Sequence, residues 1–88
     1  MDYSVDSEGF EVFVEEQKTK IKDEILGQYK AIRKERKMTQ QKVADLTGIK
    51  RTNVVRIESG RYVPTIAVLV KLAAALDMEL EVKLVDKK

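Results

Sequence analysis

The 88-residue chain reads as a mostly α protein: a bundle of four to five helices with an N-terminal helical extension and one C-terminal β-strand. Three observations predict this. Between Thr39 and Gly60, two short stretches with helical periodicity flank a tight turn at Gly48, the outline of a helix-turn-helix. On either side of that pair, apolar residues recur at helical spacing. Beyond residue 77 the period becomes two, which is that of a strand.

The central pair is delimited by its caps. Thr39 is a good N-cap, because its hydroxyl can accept from a free backbone N–H in the first turn. Val43, Ala44 and Leu46 give the first helix an apolar stripe. Gly48 stands where a helix end often turns left-handed, which glycine does without strain. The second helix, about residues 50–59, turns Val54 and Ile57 inward, and Gly60 closes it. Its other side carries Lys50, Arg51, Thr52, Asn53 and Arg56. Cations with hydrogen-bonding neighbours reach base edges and phosphates when a helix lies in the major groove. Most such runs are only solvated charged faces. The place of this one in a two-helix frame is what favours the binding reading.

Upstream, Phe10, Phe13, Val14, Ile21, Ile25, Tyr29 and Ile32 recur at helical spacing. Gly27 interrupts them, at a cost of about 1 kcal/mol relative to alanine in a helix interior. One long helix, or two meeting near residues 19–27, both satisfy the pattern. Residues 1–7 show little periodicity and are expected to be flexible.

Downstream, Pro64 and Thr65 open a helix, with Thr65 as N-cap and Ile66, Leu69, Leu72, Ala73 and Leu76 facing inward. Val68 and Val70 are extra apolar residues on other faces, where a dimer surface is one reading. Asp77 tolerates the left-handed region well enough to end the helix. In residues 78–85, Leu80, Val82 and Leu84 alternate with Glu79, Glu81 and Lys83, the pattern of a half-buried strand. A lone strand leaves its backbone groups unpaired. Pairing with the same strand of a second copy about a two-fold axis is the favoured solution. The alternative is pairing with FEVFV, residues 10–14 of the same chain.

Charge is spread unevenly. Residues 1–27 hold eight acids and three bases, residues 28–71 eleven bases and three acids, and residues 72–88 four acids and three bases. A basic middle between acidic ends is the electrostatic footprint of a nucleic-acid binder. The chain has no cysteine, which removes disulfides and thiolate metal sites and suits a reducing cytoplasm. It has no histidine, the commonest metal ligand and general base. The remaining carboxylates and lysines fall in no spacing that pairs them for acid–base work, so neither an enzyme nor a cofactor is expected. No membrane span and no signal-peptide pattern is present.

IRKERKMTQ at residues 32–40, the spaced residues Ala44, Gly48 and Glu58–Ser59–Gly60, and PTIAVLVKLAAAL at residues 64–76 carry a family resemblance. Residues 29–76 resemble the DNA-binding domain of the phage repressor and Cro type, the Xre-like helix-turn-helix, so a repressor-like bundle is implied. The family's first helix covers about residues 23–37. The chain thus divides into an acidic, partly helical extension (1–22), the DNA-binding domain (23–77) and a strand with its tail (78–88).

The resemblance implies that Arg33 and Glu58 form a structural ion pair tying the first helix to the recognition helix, where guanidinium and carboxylate can meet bidentately. It gives Gln40 a DNA phosphate at a helix N-terminus. Arg51 and Thr52 align with the principal base-reading positions and Arg56 lies one turn further on. Lys50 and Asn53 are placed for backbone or mixed contacts, and Arg61 beside the phosphate backbone. Val55, where the family often has a polar residue, either touches a thymine methyl or packs. Tyr62 either contacts phosphate or, as favoured here, packs.

The tail is similar to that of the Hip/Hig-type antitoxins, which dimerise through such a strand; Leu80, Val82 and Leu84 would be its dimer residues. The implied function is a sequence-specific repressor that binds double-stranded DNA as a homodimer on an inverted repeat. A narrower version is an antitoxin that also binds a toxin protein through its N-terminal extension. The extension reads equally as a dimer arm, a docking site or an extra helix packed on its own domain. An interaction module that keeps the fold without reading DNA is the alternative.

Overall fold

A computed structural model describes residues 7–87. Four helices follow in order: α1 (Ser7–Glu35), α2 (Gln40–Thr47), α3 (Arg51–Glu58) and α4 (Ile66–Ala75). Gly27 does not divide the first of these. One helix of 29 residues runs through it and across the expected boundary at residues 22 and 23. At 1.5 Å per residue such a helix is about 43 Å long, so it sets the 48 Å long axis of a molecule only 24 × 20 Å across. Of residues 1–7, expected to be flexible, Ser7 instead begins α1, and positions 1–6 lie outside the described residues.

The core sits at one end of this rod. Leu26, Tyr29, Val43, Ala44, Val54, Ile57, Leu72 and Leu76 are buried together, with Ile25, Ile32, Met38, Ile49, Val68 and Leu69 packed around them. No described residue before Leu26 is buried. The first half of α1 therefore extends beyond the core, leaving Phe10, Val12 and Ile21 exposed.

The helix ends follow from local chemistry. α1 stops in a left-handed residue, Lys37 (φ 55°), with the Met38 N–H returning to the Arg33 carbonyl at 3.0 Å. Thr39 Oγ1 accepts from the Lys42 N–H at 3.0 Å and caps α2. Gly48, at φ 77°, closes α2 by donating to the Ala44 carbonyl at 2.9 Å. Thr65 Oγ1 caps α4 by accepting from the Val68 N–H. Asp77, at φ 58°, ends that helix left-handed as its sequence position predicts. Arg36 donates to the Leu76 carbonyl and ties the end of α1 to the end of α4.

Two residues expected to face inward do not. Leu46 is 53% exposed and Ile66 64%. Both stand at helix ends: Leu46 is the last residue but one of α2, a turn beyond the buried Val43, and Ile66 is the first of α4, more than a turn before the buried Leu72.

Among the described residues no strand forms. Residues 78–87 take no regular structure in the single chain, so the expected C-terminal strand is not seen there. Leu80 is half-buried, whereas Val82 and Leu84 are exposed. The tail lies along α1, and the Lys87 ammonium stands 4.0 Å from the centre of the Phe13 ring. Pairing of the tail with residues 10–14 is ruled out, because FEVFV is helical. A helix satisfies its own backbone groups and has none to offer a ladder.

Candidate nucleic-acid interface

α3 is presented by the elements behind it. Its buried side consists of Val54, Ile57 and Glu58, and Val54 and Ile57 pack into the core. Arg51, Thr52, Asn53 and Arg56 are all exposed, Thr52 and Arg56 opposite that side and Arg51 and Asn53 flanking it in the first turn. Lys50 is the N-cap residue, also exposed, with no side-chain cap bond of its own. Arg61 is exposed in the turn after Gly60. None of Lys50, Arg51, Arg56 and Arg61 is paired with a carboxylate among the described residues; the ion pairs lie elsewhere. The result is a short helix whose accessible face is cationic and hydrogen-bonding, with positive charge left unneutralised.

Arg33 and Glu58 meet as expected, at 2.7 Å between Nη2 and Oε1, with both side chains buried. The contact uses one oxygen of the carboxylate rather than both. Arg33 turns Nη1 to the Met38 carbonyl at 2.9 Å, and the second carboxylate oxygen of Glu58 accepts from the Tyr29 hydroxyl at 2.9 Å. Burial, then the bond to the Glu58 carboxylate, push the Tyr29 phenol well above its ordinary 10.0. Gln40 also reaches this centre. Its side-chain N–H donates to Glu58 Oε1 at 3.2 Å, so the residue expected on a phosphate is linked to the ion pair under the recognition helix. An amide has two N–H donors, and the second leaves Gln40 able to serve both partners.

Three positioning contacts are absent from the sequence reading. Tyr29 is the first. The second is a pair of lysines on α1: Lys30 donates to the Glu58 carbonyl at 3.1 Å and Lys22 to the Gly60 carbonyl at 2.6 Å. They set two cations on the carbonyl end of α3, where the helix dipole is negative. The third is Tyr62, whose ring lies 5.8 Å below the Arg56 guanidinium. Tyr62 is exposed, and the partner its ring meets is a cation on the exposed face of α3. The signal for the first two was present: positions 22, 26, 29, 30 and 33 fall on one side of a long helix.

A basic exposed helix set across a second helix, both carried on a compact core, is the geometry of a helix-turn-helix domain. The Helix-turn-helix family profile matches residues 30–83, and the chain belongs to that family, in its Xre-like branch. It is 42% identical over 62 residues, 70% of its length, to the cryptic phage CTXphi transcriptional repressor RstR of Vibrio cholerae. It is 42% identical over 50 residues, 57% of its length, to the immunity repressor protein of Bacillus phage phi105. The chain spans about half of the first relative (52%) and about a third of the second (35%). No solved structure gives a significant match. No described helix is long and apolar enough to cross a membrane.

Proposed function

We propose that this protein is a sequence-specific repressor of transcription that binds double-stranded DNA as a homodimer on an inverted repeat. The unpaired basic face of α3 carries the reading: a helix that buries Val54, Ile57 and Glu58 while exposing Arg51, Thr52, Asn53 and Arg56 is built to be presented to something. The two repressors it resembles favour the same reading. In each copy α3 enters a major groove. Arg51 and Thr52 read base edges, Arg56 reads one turn on, and an arginine there selects guanine through O6 and N7. Lys50, Asn53, Arg61 and the N-terminus of α2 with Gln40 hold phosphates. Residues 23–77 are the binding unit, and the segment containing Leu80, Val82 and Leu84 joins two copies so that their α3 helices lie about 34 Å apart, one turn of duplex.

A selection of bound duplexes from random oligonucleotides tests this. An inverted repeat should emerge, with affinity falling steeply as salt rises. Recovery of no motif would leave the alternative, an interaction module without base readout.

A narrower role, antitoxin of a toxin–antitoxin pair, is favoured by the first half of α1. It lies outside the matched family segment, exposes Phe10 and Val12, and carries Glu8, Glu11, Glu15 and Glu16. That surface suits a basic protein partner. Co-purification of a small toxin with the full chain, lost on charge reversal at Glu11 and Glu15, is its test.

A further inference from the structure

We propose that the C-terminal segment pairs with the same segment of a second copy in one register, with Val82 opposite Val82. This rests on the homodimer reading above and adds the alignment of the two strands.

The segment offers a partner more than it offers its own chain. Val82, Leu84 and Val85 are 70%, 102% and 77% exposed. Leu80 reaches a groove between α1 and α4 lined by Ile25, Tyr29, Leu69 and Leu72. Glu81 and Lys83 make an ion pair at 3.8 Å with both side chains largely in solvent. The one stretch of this chain that matched the tail by alternation, residues 10–14, is helical.

In an antiparallel pair, directly opposed residues point to the same side. The charges then choose among the possible two-fold centres. Centred on Val82, Leu80 faces Leu84, Val82 faces itself, and Glu81 faces Lys83 twice. Centred on residue 81, Glu81 meets Glu81; centred on 83, Lys83 meets Lys83. Centred on 80, Glu79 meets Glu81, and centred on 84, Val82 meets Asp86. A centre between two residues opposes Glu81 or Lys83 to an apolar residue and turns one strand's apolar set to the wrong face. The Val82 centre opposes no like charges, joins Glu81 to Lys83 twice and keeps three apolar pairs, at the cost of setting Glu79 opposite Val85. The residue-81 centre also joins opposite charges, Glu79 to Lys83, but places Glu81 against Glu81 between them. The Val82 centre replaces the two exposed Glu81–Lys83 contacts within chains, one in each copy, by two such contacts between chains. It also brings Leu84 of the second copy beside Leu80, over the groove between α1 and α4.

The chain has no cysteine, so introduced thiols are clean probes. Full-length Glu81→Cys, Val82→Cys and Lys83→Cys are sedimented reduced and then oxidised. Opposed Cβ atoms lie about 4.5–5.5 Å apart and diagonal ones about 7–8 Å, while a disulfide spans about 3.5–4.5 Å between Cβ atoms. The expected result is a dimer in each case, with self-linking by Val82→Cys alone and cross-linking when Glu81→Cys and Lys83→Cys chains are mixed. Self-linking by Glu81→Cys or Lys83→Cys in a protein that is still dimeric overturns the register and leaves the dimer standing. A monomer at every concentration, in wild type as in the variants, overturns the dimer itself. Charge reversal gives an independent reading. Glu81→Lys should weaken the dimer at low salt, and adding Lys83→Glu in the same chain should restore it; no recovery counts against the register.

Discussion

Tyr29 and Arg33 grip opposite oxygens of one buried carboxylate, that of Glu58: the phenol donates to Oε2 at 2.9 Å and the guanidinium to Oε1 at 2.7 Å. They stand one turn apart on α1, so the first helix holds the last turn of α3 at two points. Removing one partner of a buried ion pair costs about 3–5 kcal/mol, and leaving a buried acceptor without its donor about 1–3 kcal/mol. Arg33→Ala should therefore lower unfolding stability more than Tyr29→Phe, and both should be measurable in urea. A fold this small has about 5–15 kcal/mol in all, so Arg33→Ala should be unfolded at moderate temperature. An Arg33→Ala protein as stable as wild type would remove the ion pair from any account of the fold.

The same phenol makes stability depend on alkaline pH. Burial and the neighbouring carboxylate hold the Tyr29 proton more tightly in the folded protein than in the unfolded chain, whose ordinary value is 10.0. Above pH 10 the unfolded state loses this proton first. The folded state then binds more protons, and stability falls with rising pH. This contribution is complete below pH 10 and disappears progressively above it. Denaturant titrations at pH 9 and pH 11 should show a loss in wild type that is smaller in Tyr29→Phe. Equal losses in both would place the alkaline sensitivity elsewhere.

The helices α2 and α4 were legible because their ends are written in single residues. Thr39, Gly48, Thr65 and Asp77 each do locally what their side chain or backbone dictates. The Arg33–Glu58 pair was legible only through family resemblance, since 25 positions separate the two. What escaped were contacts between distant elements: two from side chains to backbone groups, Lys22 on the Gly60 carbonyl and Lys30 on the Glu58 carbonyl, and one between side chains, Gln40 on the Glu58 carboxylate. A lysine on an exposed helix looks the same in sequence whether it meets water or a helix end. The tail shows the opposite limit. Its alternation is plain, but a strand is a property of two segments, and one chain supplies one.

Gly27 is the place where helix propensity and structure disagree most openly. It lies inside α1, is exposed, and a Cβ built there meets nothing within 4 Å. Its backbone φ is not positive, so alanine fits without strain. Gly27→Ala should stabilise the fold by up to about 1 kcal/mol, through helix propensity and a less flexible unfolded chain. The measurement is the urea midpoint at unchanged slope. A loss of stability would mean that α1 needs its weak point.

Arg51 and Arg61 are both exposed arginines without an acidic partner among the described residues, but the proposed binding mode gives them different tasks. Arg51 is exposed in the first turn of α3, and Arg61 is exposed in the turn after the helix; under the proposed binding mode the first reads a base edge and the second meets a phosphate. A bidentate arginine–guanine contact discriminates by about 1–3 kcal/mol. Arg51→Ala should therefore weaken binding to the selected operator by roughly 5- to 150-fold while changing binding to random duplex much less. Arg61→Ala should weaken both alike, and should lower the slope of log affinity against log salt by about one. Titrations of both variants on operator and random duplex at several salt concentrations separate the two roles. Equal losses on both duplexes for Arg51→Ala would make it another phosphate contact and move base readout to Thr52 and Arg56.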